Sequence, residues 1–277
     1  MAPNTWRAYA SDWRHWSTWA TAHGAPVLPA DPLDLARYLV AHAGTLSTGT
    51  LTRRCSAVSK AHVLAGHGDP ADDPAVREVL RGLRRQHGTP RRGAPPLWTS
   101  DVERIIAATH SVPSPAGPGL GTAEVRDRAL VLLAFTSALR RSELAALTVA
   151  DLQFDPAGLV VHITRSKTDP DGDGTYVGIP YAGRRQLCAV RAVTAWRHRL
   201  AELLEVDPAQ LAGPLFRPVD RRDRLGTLGN SRLSAETALS AAAVREAIIR
   251  RAAAAGLAPG HGERGFTAHS TCSGFAA

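Results

Sequence analysis

Residues 135–151, Phe-Thr-Ser-Ala-Leu-Arg-Arg-Ser-Glu-Leu-Ala-Ala-Leu-Thr-Val-Ala-Asp, constrain the fold of this chain more than any other stretch. The apolar run 129–135 that leads into them is too apolar for a surface helix, so it is predicted to lie inside a core. Arg140 and Arg141 interrupt that run, and Ser142-Glu143-Leu144 restarts a helix with Leu144 and Leu147 on one side. Ser142 is a suitable N-cap, since its hydroxyl can accept from an early backbone N–H. A guanidinium at such a break is held by packing on both sides, which suits a side chain that waits for a planar anion. An ordinary surface arginine at a helix–helix turn fits this segment alone equally well.

The charge balance points to a polyanionic partner. The chain has 277 residues and a formal net charge of +8, which favours nucleic acid over neutral ligands. Its only lysines are Lys60 and Lys167. Codon bias accounts for arginine replacing lysine but not for the positive excess, and it makes the two lysines that remain informative. The length suits one large or two modest domains. No apolar run approaches the roughly 20 residues that span a bilayer, and the first residues lack the apolar core of a signal peptide. Cys55, Cys188 and Cys272 are scattered without metal-ligand spacing, which suits a reducing cytoplasm.

Four helices are predicted in the first 87 residues. In 4–23, Trp6, Tyr9, Trp13, Trp16 and Ala20 form one apolar stripe. Asp31-Pro32 opens the second helix, and its buried side is Leu35, Tyr38 and Leu39. In 47–65, Leu51, Cys55, Val58 and His62 share a face, whereas Arg53, Arg54 and Lys60 project elsewhere. In 73–86, Val76, Val79, Leu80 and Leu83 are buried, opposite Arg77, Arg81, Arg84 and Arg85. A charge run is usually a solvated face; two of them in one small basic unit favour a phosphate-tracking surface. Residues 88–97, rich in Gly, Pro and Arg, read as a linker.

The remainder, 98–277, reads as α+β. Ser100 and Glu103 are spaced as a capping box. Leu159, Val161 and Ile163 alternate as a strand after the turn 155–158, and 175–179 returns as its partner. Lys167 sits at the lip of this hairpin. A long helix follows over 184–204, with Leu187, Val190, Val193, Trp196, Leu200 and Leu203 inward. Leu215-Phe216 is a short buried element, 220–236 a polar loop, and 241–255 a last amphipathic helix.

Ala138-Leu139-Arg140-Arg141-Ser142-Glu143-Leu144, with Leu147 and Asp151, resembles the first signature box of the tyrosine recombinases, the phage-integrase family. Only the opening glycine departs, and alanine is taken as a mild change. Thr5, Arg7, Tyr9, Asp12 and Trp13, and the run 79–85, resemble the family's SAM-like core-binding domain. The resemblance implies a mainly α chain with a small β component: a four-helix core-binding domain (1–87), then an α+β catalytic domain (98–277) that lacks its last helices. It implies duplex DNA as partner, a possible homo-oligomer on DNA, no membrane association, and strand cleavage and rejoining through a 3′-phosphotyrosine without cofactor.

By the same resemblance, Arg140 and His269 contact the scissile phosphate and Lys167 assists the leaving 5′ oxygen. In the second box Cys272 stands where the family has its second arginine. The four tyrosines, Tyr9, Tyr38, Tyr176 and Tyr181, all precede His269, so the chain is expected to be truncated and unable to cleave. A non-catalytic DNA-binding module and a helical protein-interaction scaffold are the alternatives.

Overall fold

The computed structural model describes residues 3–88, 95–109, 120–164, 174–220, 222–228, 231–232 and 237–257. The chain divides into two compact units, residues 1–92 and 93–277.

The first unit is four helices: α1 (Pro3–Ala22), α2 (Pro32–Ala41), α3 (Thr48–Leu64) and α4 (Pro74–His87). Their starts are local in origin. Asp31, Ser47 and Asp73 each accept from an early backbone N–H, at 2.7, 3.1 and 2.8 Å, which satisfies donors that a helix leaves unpaired. Trp16, Leu35, Tyr38, Leu39, Leu51, Val58 and Val76 form the buried centre. Trp6, at the start of the predicted stripe, is exposed instead. His62 is fully buried and fully bonded: Nδ1 donates to the Val58 carbonyl at 2.7 Å, and Nε2 accepts from Ala30 N at 2.7 Å. It ties α3 to the 28–30 segment. Cys55 is a core side chain whose thiol is pushed up to about 11, chiefly by burial.

In the second unit, α5 (Thr99–Thr109), α6 (Thr122–Ser137), α7 (Arg141–Ala146), α8 (Ala189–Leu204) and α9 (Ala241–Ala254) enclose one core. A three-stranded antiparallel sheet, β1 (Leu152–Asp155), β2 (Gly158–Ile163) and β3 (Thr175–Pro180), completes it. Helix α6 touches α5, α7, α8 and α9, and residues 129–134 are at most 1% exposed. A helix in contact on so many sides can be apolar all round, as the sequence indicated. In the sheet, Leu159, Val161 and Ile163 face the core, and His162 pairs with Tyr176 across β2 and β3. Strand β1 was not anticipated; it is short, and its burial alternates with no fully buried residue. A further two-stranded pair, β4 (Thr227–Leu228) and β5 (Ser231–Arg232), lies within the segment expected to be a loop.

Several local expectations fail for identifiable reasons. Ser142 does not cap α7; the N-cap is Arg140, and Glu143 accepts from Arg140 N at 2.8 Å. Nor do Ser100 and Glu103 cap α5, which begins earlier with Asp101 accepting from Trp98 N at 3.0 Å; Glu103 instead pairs with Arg184. Residues 185–187 form a separate 3₁₀ turn before α8, and Leu203 is exposed.

The first turn of α6 is capped from far along the chain. Asp223 accepts from Thr122 N at 2.6 Å and Ala123 N at 3.0 Å. A Cβ on Gly121 would collide with the carboxylates of Glu124 and Asp223, so glycine is required where these approach.

A buried ionic cluster joins α6 to α9. Asp127 is fully buried and accepts from Arg126 Nε (2.9 Å) and Nη2 (2.7 Å), Arg250 Nη2 (2.9 Å) and Arg251 Nε (2.8 Å). Arg251 Nη2 also donates to Glu124 at 2.9 Å, and Arg126 Nη1 donates to the Arg217 carbonyl at 3.2 Å. Burial alone would push the Asp127 carboxyl up, but the adjacent guanidiniums of Arg126, Arg251 and Arg250 outweigh it and hold it below its ordinary value. A depressed folded-state pKa adds stability above the unfolded carboxylate range, near pH 4, that is lost as pH falls through the folded value. Asp127→Asn is expected to cost about 3–5 kcal/mol at pH 7, since it leaves Arg126 buried without its anion and Arg251 with Glu124 alone. It should also flatten the acid limb of a pH–stability curve. Urea unfolding followed by circular dichroism checks both, and a wild-type midpoint at pH 7 would rule out this role.

Candidate nucleic-acid and phosphate site

Around Arg140 each residue of the 138–151 segment has a distinct physical task. Ala138 ends α6 in the left-handed region, at φ +52°. Leu139, Leu144 and Leu147 are core residues at 2%, 1% and 3% exposure. Glu143, nearly buried, accepts from both the Arg140 backbone N and its Nη1, each at 2.8 Å. Asp151 closes the next turn by accepting from Thr148 N and Oγ1, each at 2.7 Å. The strand-like bonds Val149 N to Gly213 O (2.9 Å) and Leu215 N to Leu147 O (2.8 Å) then fix the segment against 213–215. Arg140 itself keeps 38% of its side chain exposed. A partly exposed guanidinium held on a carboxylate has its planar fork oriented in advance, which suits recognition of a planar oxyanion.

The glycine departure at Ala138 is therefore not mild. Left-handed backbone costs an L-residue roughly 1–2 kcal/mol, which glycine escapes.

Of the other expected site residues, Lys167, His269 and Cys272 lie outside the described residues. Strands β2 and β3 pair in register from Gly158 opposite Pro180 to Ile163 opposite Thr175. At the root of that hairpin His162 and Tyr176 are stacked, with ring centroids 4.6 Å apart.

In the first unit the predicted basic residues separate into two groups. Arg77, Arg81, Arg84 and Arg85 are exposed on α4, with Arg77 and Arg81 paired to Asp72 and Glu78. Lys60 is half-buried. Arg53 is half-exposed but bonds Asp12 bidentately, Nε to Oδ2 at 2.7 Å and Nη2 to Oδ1 at 3.1 Å.

Arg54 does not project. Only 12% of its side chain is exposed, and its Nη1 lies 2.9 Å from His15 Nδ1 and 3.2 Å from the Tyr38 hydroxyl. The buried carboxylate of Asp12, whose Oδ1 is 3.7 Å from Arg54 Nε, draws the guanidinium inward. Burial, then Arg54, then His42 hold the His15 imidazole below its ordinary value, which suits its neutral role beside a guanidinium. Asp12 and His15 were the missed organisers. Asp12 stood in the sequence only as part of the family pattern, and His15 only as a histidine three residues after an acid on an aromatic helix.

Among the described residues no three His, Cys, Asp or Glu side chains gather as a metal site, and no helix is long and apolar enough to cross a membrane.

A helical unit followed by an α+β unit that presents an arginine after a buried helix is the architecture of phage integrases. Residues 1–66 match the family model of the phage integrase N-terminal SAM-like domain. An integrase/recombinase xerD homolog of Selenomonas ruminantium is 36% identical over 84% of this chain and 64% of its own length. The tyrosine recombinase XerC of Xanthomonas campestris is 35% identical over 58% of this chain and 46% of its own. The chain thus spans less than two thirds of the curated relatives it matches. A lambda integrase dimer bound to a COC' core site shares the fold, with a TM-score of 0.57 at 17% identity over 100% of this chain and 82% of that one. Residues 1–66 thus carry the phage integrase N-terminal SAM-like domain, and over 84% of its length the chain is similar to an integrase/recombinase of the tyrosine recombinase type.

Two outcomes follow from this geometry. Ala138→Gly should stabilise the protein by about 0.5–1 kcal/mol, the relief of left-handed strain being partly offset by the freer unfolded chain; a urea midpoint at or below wild type contradicts it. Arg54→Ala should lower stability by about 1–3 kcal/mol, because it strips partners from buried polar groups. Its effect on the salt dependence of DNA binding should be negligible, whereas an Arg54 on the phosphate surface would reduce that slope.

Proposed function

We propose that this chain is the DNA-engaging part of a site-specific recombinase that grips duplex DNA and orients the scissile phosphate, acting as more than one copy on the DNA. The arrangement of Arg140 carries the reading: a partly exposed guanidinium anchored by Glu143 at the end of a buried helix. Structurally similar lambda integrase and XerH proteins have been seen bound to their DNA sites, which supports duplex DNA as the partner. Exposed Arg84 and Arg85, with Arg77, Arg81, Arg53 and Lys60, are the proposed backbone-tracking set, and the inward Arg54 is left out of it.

In the proposed chemistry Arg140 steadies charge growing on the non-bridging phosphate oxygens, a contact worth roughly 10²–10³ in rate. Lys167 would donate a proton to the departing 5′ oxygen, and His269 would hold the same phosphate from the other side. A tyrosine oxygen would attack phosphorus, giving a 3′-phosphotyrosine and freeing the 5′ hydroxyl; the reverse attack reseals the strand. Within these 277 residues every tyrosine precedes His269, and Cys272 cannot provide a second planar fork. The proposal is that this stretch by itself binds and does not cleave. Cys272 equally favours a second reading, a DNA-binding module without catalytic work.

Arg84→Ala with Arg85→Ala should lower the slope of log affinity against log salt by about 1.8 if both residues meet phosphate, with stability within about 0.5 kcal/mol of wild type. Fluorescence anisotropy on a duplex across a salt series reads this, and an unchanged slope removes α4 from the interface. Incubation with a nicked suicide duplex should leave no covalent protein–DNA adduct on a denaturing gel. Appearance of one would sink the proposed inactivity.

A further inference from the structure

The second unit holds a cavity of about 760 Å³ between the start of α6, the 185–187 turn and the first half of α8. It is separate from the phosphate site: Arg128 stands in the second turn of α6, whereas Arg140 follows the last turn, about 14 Å or more of helical rise away.

Its walls combine two chemistries. Leu120, Val125, Ala192 and Ala195 give an apolar lining. Arg128, Arg185 and Arg191 supply the charge and His198 a further ring nitrogen, with no carboxylate among the described lining residues. Arg128 donates from Nη2 to the Gln186 carbonyl at 2.7 Å, and Arg191 sits over the Tyr181 ring at 5.2 Å from its centroid. Burial pushes the Arg128 guanidinium down from its ordinary value.

We propose that this cavity is a docking site for a short acidic–apolar peptide segment of a protein partner, its carboxylate received by Arg185 and Arg191 and its apolar side chain seated against Leu120 and Val125. Charge complementarity selects an anion. The largely apolar lining selects one carried on an apolar body, which the sugar–phosphate backbone of DNA does not offer. A volume of this size lies within the range of pockets that enclose a small ligand, roughly 300–1,000 Å³, and so fits two or three residues. Arginine also grips a carboxylate bidentately, which fixes the peptide's orientation as well as its charge.

The test uses the full 277-residue chain and two fluorescein-labelled peptides, Glu-Leu-Phe-Asp-Leu and its neutral counterpart Gln-Leu-Phe-Asn-Leu, measured by anisotropy. The acidic peptide should bind at least about tenfold more tightly, as expected for charge-assisted bonds in a half-enclosed site. Arg185→Gln with Arg191→Gln should abolish that preference while leaving the thermal midpoint unchanged, both side chains being exposed. Ala195→Trp, which places an indole in the cavity against the peptide's apolar side chain and keeps every charge, should abolish binding of both peptides. Equal affinity for the two peptides, no binding by either, or wild-type binding by Ala195→Trp overturns the proposal. Displacement of the acidic peptide by duplex DNA also overturns it, by assigning the cavity to the nucleic-acid surface.

Discussion

The second unit depends on one carboxylate. Asp127 is fully buried in the charged first half of α6, just before its apolar run, and it is tolerated there because Arg126, Arg250 and Arg251 surround it. Taking the group out of water is expensive, and its attraction to three guanidiniums in a low-dielectric interior compensates. The consequence is geometric. The cluster ties α9 to α6, and the same α6 runs into the turn that carries Arg140. A helix fixed this firmly along its length can end in an unfavourable left-handed residue, Ala138, and still aim the next guanidinium.

Glu143 makes that aim specific. It bonds the Arg140 backbone and side chain together, so the cap of α7 and the orientation of the guanidinium are one interaction. Part of the Arg140 side chain stays exposed beside this pair. Charge on Glu143 lowers the net positive potential there but reduces the orientational entropy an arginine loses on binding, which suits positioning over raw attraction.

The first unit follows the opposite principle. Its helices start on local carboxylates and hydroxyls, and its aromatic core would form in any four-helix packing of this pattern. Its polar interior is more particular. Asp12 recruits Arg53 and Arg54, and His15 and Tyr38 take up the rest of Arg54. Adjacent arginines on α3 thereby diverge, one half-exposed and one structural, which leaves α4 as the more exposed basic face.

Read without coordinates, the sequence was sufficient for the helix pattern, the hairpin, the burial of 129–135 and the family box around Arg140, because each rests on local periodicity or on a contiguous motif. The capping of α6 by Asp223, the Asp127 cluster and the inward turn of Arg54 emerged only from the tertiary structure. Each depends on groups between about forty and well over a hundred residues apart, and a charged residue in a sequence looks alike whether it faces water or a buried partner. Ala138 shows the same limit at short range. Its identity is plain in the chain, but the positive φ that makes it strained is decided by how α6 and α7 must pack.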